Sequence, residues 1–151
     1  MKSKEILIQY SDMAEEVKDI QKRIQKLQKE IAGLGIVSDS VKGTRTDGTY
    51  GSIKITGYPT PRYMKKKAAL EKNKELLERK ETKLLELMTQ AEAYIESIPK
   101  SELRTMFRLY YIDGLTWLQV AHRMNEIFPK RKTKYTEDNC WKRNARFFDE
   151  N

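Results

Sequence analysis

Ser101-Glu-Leu-Arg-Thr-Met-Phe-Arg-Leu-Tyr-Tyr-Ile-Asp-Gly-Leu-Thr-Trp-Leu-Gln-Val-Ala-His-Arg-Met-Asn125, followed after a basic insert by Thr136-Glu-Asp-Asn-Cys-Trp-Lys-Arg-Asn-Ala-Arg-Phe-Phe148, reads as three short helices. Pro99 suits a helix start, where its missing N–H costs nothing. Leu103, Met106, Phe107 and Tyr110 then fall at i, i+3, i+4 and i+7, one buried stripe. Asp113-Gly114 is a stop-and-turn dipeptide. Thr116 with Gln119 three residues later forms a capping box and opens the second helix. Its inward face is Trp117, Val120, Ala121 and Met124, with the small Ala121 where two helices cross closely. Asn125 can adopt the left-handed conformation that ends it. Thr136 caps the third helix, with Glu137 and Asp138 in its positive first turn. The expected spans are 100–112, 116–126 and 136–148, within a domain running from 99 to 151.

At about 100° per residue, the third helix divides into two faces. Cys140, Trp141, Asn144, Phe147 and Phe148 cluster on one side, where polar Asn144 is a misfit with no partner to name. Asn139, Lys142, Arg143 and Arg146 cluster on the other. Those four offer amide and guanidinium groups suited to base edges and an ammonium suited to phosphate. The plain alternative is a solvated charged face. As the third helix of a helix-turn-helix, the same face fits a groove of double-stranded DNA.

Nine residues, Ile127 to Tyr135, separate the second and third helices, where a standard helix-turn-helix has a turn of three or four. Pro129 forbids simple extension of the second helix through them. Lys130-Arg-Lys-Thr-Lys134 places four positive charges in five residues. Alone it reads as a solvated loop. Beside a basic helix, Lys130, Arg131, Lys132 and Lys134 fit phosphate contacts, which supply affinity without sequence information.

Upstream, the pattern changes to long helices. Ile6, Tyr10, Met13, Val17, Ile20, Ile24, Leu27, Ile31 and Leu34 alternate four and three apart, an unbroken heptad seam. A second long helix is expected from Pro61 to Ile98, with Tyr63, Leu70, Leu77, Leu84, Ala91 and Ile98 seven apart. Its other seam positions are polar early on (Lys67, Lys74, Glu81) and apolar only at Met88 and Ile95. The resulting fold expectation is all-α. A long antiparallel, coiled-coil-like helical hairpin of helices 4–33 and 61–98 forms residues 1–98, and a C-terminal three-helix helix-turn-helix domain follows. The seam can serve as an intrachain core, or its apolar edge can be completed by a second copy in a homodimer; the pattern leaves both open.

The connector 34–60 holds five of the seven glycines. Ser52-Ile-Lys-Ile-Thr56 alternates as one short strand, which must pack on the helices or pair with another chain, since a lone strand is unstable. Gly43-x4-Gly48 is followed by Thr49-Tyr50 and so fails the phosphate-loop pattern.

Leu109-Tyr-Tyr-Ile-Asp-Gly-Leu-Thr-Trp-Leu-Gln-Val-Ala121 resembles the fourth conserved region of bacterial sigma-70 factors, the part that reads promoter DNA. More closely, the chain resembles the RinA/ArpU-like late-gene transcription regulators of phages and prophages. That likeness extends to Ser38-Asp-Ser-Val-Lys-Gly43 and Ile53-Lys-Ile-Thr-Gly57, and so covers roughly residues 37–148. It implies sequence-specific promoter recognition carried by Thr136, Asn139, Lys142, Arg143 and Arg146, with host RNA polymerase as a partner.

Composition agrees with a nucleic-acid partner. Lys and Arg number 30 against 22 Asp and Glu, a formal charge of +8. Residues 99–151 hold 11 basic and 7 acidic side chains, so +4 of that +8 lies in the last third. One histidine, His122, and one cysteine, Cys140, build no metal cluster. No catalytic constellation, cofactor motif or metal site emerges, so no enzyme is expected. One cysteine, no apolar run long enough for a membrane and no signal-peptide pattern lead to a cytoplasmic expectation. The rival readings are a phage small terminase subunit, which binds packaging-site DNA, and a helical protein-interaction adaptor with a merely solvated basic face. Ring-shaped oligomers would favour packaging, and no DNA affinity at moderate salt would favour the adaptor.

Overall fold

The computed structural model describes residues 3–34, 40–44, 50–54 and 60–150. Its elements are α1 (Ser3–Gly33), β1 (Ser40–Thr44), β2 (Tyr50–Lys54), α2 (Pro61–Glu96), α3 (Ser101–Phe107), α4 (Trp117–Ile127) and α5 (Glu137–Glu150). A π-helical turn, Arg108–Ile112, continues α3. The described residues are predominantly helical. None of their helices is long and apolar enough to cross a membrane.

The chain forms two compact units, Val17–Arg79 and the combination of Met1–Glu16 with Lys80–Asn151. The division falls inside both long helices and not at residue 98, because Leu7, Tyr10, Leu87, Ala91, Ile95 and Ile98 share one core with Met106, Phe107, Val120 and Cys140.

In the unit Val17–Arg79, Ile20, Ile24 and Leu70 are buried together, flanked by Leu27, Ile31, Leu76 and Leu77. All but Leu76 are positions of the heptad seam on α1 or of the seven-residue series on α2. Lys66 of α2 pairs with Glu30 of α1, and that contact draws the Glu30 carboxyl below its usual range. The other seam positions differ from expectation. Lys67 and Lys74 are exposed, whereas Lys66 and Asn73, one residue earlier, are half-buried. Asn73 turns its amide onto its own helix, donating to the Ala69 carbonyl at 2.8 Å. The polar seam is satisfied within the chain by ion pairing and hydrogen bonding.

The strand expected at 52–56 lies at Tyr50–Lys54 and pairs antiparallel with β1, Ser40 opposite Lys54 and Thr44 opposite Tyr50. Its partner is therefore a strand of the same chain, a pairing that satisfies backbone groups a lone strand would leave open. Ile55, Thr56 and Gly57, like Ser38 and Asp39 of the family resemblance, lie outside the described residues.

In the other unit, the N-terminal part of α1 packs on the C-terminal part of α2, with Lys80 reaching Glu16 at 3.1 Å. Glu81, expected on the seam, is exposed. Leu87, buried and unforeseen, joins Ala91 and Ile95 in the core. Arg104 of α3 donates to the Ile98 and Pro99 carbonyls at 2.6 and 3.0 Å, satisfying acceptors that the end of α2 leaves open. Phe107 is fully buried and contacts the rings of Tyr111, Phe147 and Phe148, with centroids 6.0, 5.1 and 5.5 Å away.

The stripe expected to continue through Tyr110 is rephased. Asp113 N–H bonds Arg108 O at 2.9 Å, five residues back, so the wider π turn rotates the side chains that follow it. Leu109 and Tyr111 are buried, and Tyr110 is only half-buried, stacked on Trp117 at 3.8 Å. Gly114 then takes a φ of +71°, a conformation that costs glycine nothing. This turn redirects the chain into α4.

Candidate nucleic-acid interface

Two reciprocal capping boxes start α4 and α5, the helices on either side of the basic insert. On α4, Gln119 N–H donates to Thr116 Oγ1 and Thr116 N–H to Gln119 Oε1, at 3.3 and 2.9 Å. On α5, Asn139 N–H donates to Thr136 Oγ1 at 3.2 Å, and Thr136 N–H to Asn139 Oδ1 at 2.9 Å. Asn139 Nδ2 also donates to the Lys134 carbonyl at 3.0 Å. The Asn139 amide is thus committed at both ends to starting α5.

Asn125, expected to end the second helix in a left-handed conformation, lies inside α4. Its side chain closes the insert. Tyr135 N–H donates to Asn125 Oδ1 at 2.8 Å, and Asn125 Nδ2 donates to the Tyr135 carbonyl at 3.0 Å. Tyr135 is buried against the core and packs near Phe128, centroids 6.4 Å apart. The nine-residue insert is consequently pinned at its far end, and the basic segment between is held beside α5.

Pinning the insert creates an open depression of about 760 Å³, which Lys130, Arg131, Lys132, Lys134, Asn139, Lys142, Arg143 and Arg146 line together with Glu102, Thr133 and Tyr135. Eight of the nine residues singled out from the sequence are brought to one concavity. Thr136, the ninth, stands at the α5 cap. Lys142 forms an exposed ion pair with Asp138 at 2.9 Å, worth little in water. Arg143 is more constrained. Burial first, and then the neighbouring charge of Arg146, pulls it below the usual guanidinium range. Its guanidinium meets Glu102, which Arg131 also reaches at 3.0 Å.

Comparisons of the chain with protein-family models, with curated proteins and with solved structures find no match.

Three features escaped the sequence reading. Glu102 is distant in sequence from both arginines and carries no spacing signal. Asn125 offered two competing uses, a left-handed cap and a side-chain clamp. Trp141, placed by angle among the core residues, is 53% exposed, next to Trp117, Glu137 and Asp138. Asn144 finds the partner it lacked, because Tyr111 Oη donates to Asn144 Oδ1 at 2.8 Å. Burial pushes the Tyr111 phenol up to about 12. Cys140 is fully buried, and burial pushes its thiol up to about 11; so high a value suits an inert core thiol and not a nucleophile. Among the described residues no group of His, Cys, Asp and Glu is placed to hold a metal ion.

Proposed function

We propose that this chain is a sequence-specific DNA-binding transcription regulator of phage or prophage genes, in which α4 and α5 act as a helix-turn-helix with an enlarged turn. The observation that carries the reading is the convergence of seven cations, four from the insert and three from α5, on one open concavity. Such a surface matches the phosphate backbone of a duplex, whose charge dominates affinity. The resemblance of Leu109–Ala121 to the promoter-reading region of sigma factors supplies the promoter and RNA polymerase parts of the proposal.

Within it, the residues divide by freedom. Lys130, Lys132 and Lys134 are exposed on the insert and contact phosphates. Arg146 and Lys142 project from the exposed side of α5, the guanidinium to reach base edges and the ammonium to contact phosphate. Asn139 orients the helix through its cap, since reading a base with that amide would break the cap.

Binding titrations at several salt concentrations test the proposal, on a duplex selected from a random pool and on a scrambled one. Neutralising Lys130, Lys132 and Lys134 to Gln weakens both alike and flattens the salt slope by about 0.9 per lost phosphate contact. Arg146→Ala costs about 1–3 kcal/mol on the selected site only. Absence of binding to any duplex at moderate salt refutes the reading and leaves the basic face as solvated surface.

A further inference from the structure

Glu102 is an anomaly among the residues lining the basic depression. It is the one acidic side chain of the lining, which it shares with Lys130, Arg131, Lys132, Lys134, Lys142, Arg143 and Arg146; Asp138, paired with Lys142, stands outside that lining. Its side chain is only 13% exposed, and its two oxygens go to different guanidinium groups, Oε2 to Arg131 and Oε1 to Arg143. A carboxylate bracketed by two arginines has the arrangement in which guanidinium groups recognise phosphate. Seven cations less the carboxylates of Glu102 and of Asp138, which pairs with Lys142, leave a formal +5 around the depression, so the field there still favours a further anion.

We propose that Arg131 and Arg143 form a two-guanidinium clamp for a phosphate group, with Glu102 as its built-in occupant until a phosphate displaces it. The arginines come from the insert and from α5, and Glu102 from the first turn of α3. The displaced carboxylate need only turn outward into the open depression to regain water. The clamp stands independently of the DNA reading. Its consequence for DNA rests on that reading: a non-cognate duplex, offering phosphates without matching base edges, must expel Glu102 with no compensating contact. Glu102 therefore raises discrimination by weakening non-specific binding, an opposing element of the kind specificity requires.

The first measurement is thermal unfolding against inorganic phosphate at constant ionic strength, for the wild type, Glu102→Gln and Glu102→Gln with Arg143→Gln. Glu102→Gln gains a larger phosphate-dependent rise in midpoint than the wild type, and the added Arg143→Gln removes the gain. Equal phosphate responses of the wild type and Glu102→Gln overturn the clamp. Should Glu102→Gln fail to fold, Glu102→Asp, with its carboxylate drawn back by one methylene, gives the same ordering with a smaller gain; a response equal to wild type overturns the clamp there too.

The second arm uses duplex DNA. Glu102→Gln binds the scrambled duplex more tightly, with a salt slope steeper by about one to two units for one or two added phosphate contacts, and the preference for the selected site shrinks. If wild type binds DNA and Glu102→Gln leaves scrambled binding unchanged, the discrimination role is overturned. If Glu102→Gln responds to inorganic phosphate while neither protein binds DNA, the clamp stands for free phosphate and the DNA reading falls.

Discussion

Asn125→Ala removes the clasp that closes the insert, and its effect can be worked from the structure. Two hydrogen bonds disappear, at 2.8 and 3.0 Å. Each contributes a net of about 0.5–1.5 kcal/mol, so their loss alone costs about 1–3 kcal/mol. Tyr135 is buried, which leaves its N–H and C=O without ready access to water and moves the cost toward the upper end of that range. The midpoint of urea unfolding falls with little change in its slope, as for a loss of native stability without a change in the surface exposed. Asn125→Asp is the informative companion. It keeps an acceptor for the Tyr135 N–H but loses the donor to the Tyr135 carbonyl, and so lies between wild type and Asn125→Ala. Amide hydrogen exchange at Tyr135 reports the clasp directly, and accelerates in the Ala variant more than exchange across α5. The same variant releases Lys130–Lys134 from their place beside α5 and weakens DNA binding at both selected and scrambled sites. Unchanged Tyr135 exchange together with stability within about 0.5 kcal/mol of wild type, the range of an ordinary surface substitution, would refute the reasoning.

Ala121→Leu inserts three heavy atoms at a buried position in the core shared by α3, α4 and α5. Overpacking there costs about 1–3 kcal/mol, and full retention of thermal stability would show that the helices do not cross closely at Ala121. Alkaline pH tests the Tyr111–Asn144 pair. The folded-state value near 12 exceeds the ordinary 10 of a free phenol, so the protonated form is the one the fold favours. Its contribution is complete below pH 10 and is lost as the pH rises from 10 through 12, by about 2 kcal/mol. Tyr111→Phe, with no phenol to ionise, removes that part of the alkaline loss, and an identical alkaline decline in the variant would contradict the assignment.

Local chemistry was legible from the sequence alone. The Thr116–Gln119 capping box, the Thr136 start of α5, the Asp113-Gly114 turn and the long heptad seam all depend on residues within a turn or two of each other. Such short-range preferences act before any tertiary partner is chosen, and the helices appear within a few residues of the expected spans. The clustering of basic residues on one face of α5 is legible for the same reason, since helical angle follows from spacing alone. Choices between near-equal local options were not legible. A series spaced seven apart on α2 leaves its companion positions either three or four residues on; the structure turns the former, Lys66 and Asn73, inward, and Lys66 there meets the carboxylate of Glu30. The π turn at Arg108–Ile112 shifts burial from Tyr110 to Leu109 and Tyr111, which a fixed 100° step cannot foresee. Trp141 is exposed because Cys140, Phe147 and Phe148 already fill the core side of α5. Asn125 and Glu102 act on Tyr135, Arg131 and Arg143, partners that the sequence does not mark. Their roles exist only once packing brings distant segments together, because a hydrogen bond or ion pair acts over a few ångströms of space whatever the separation along the chain.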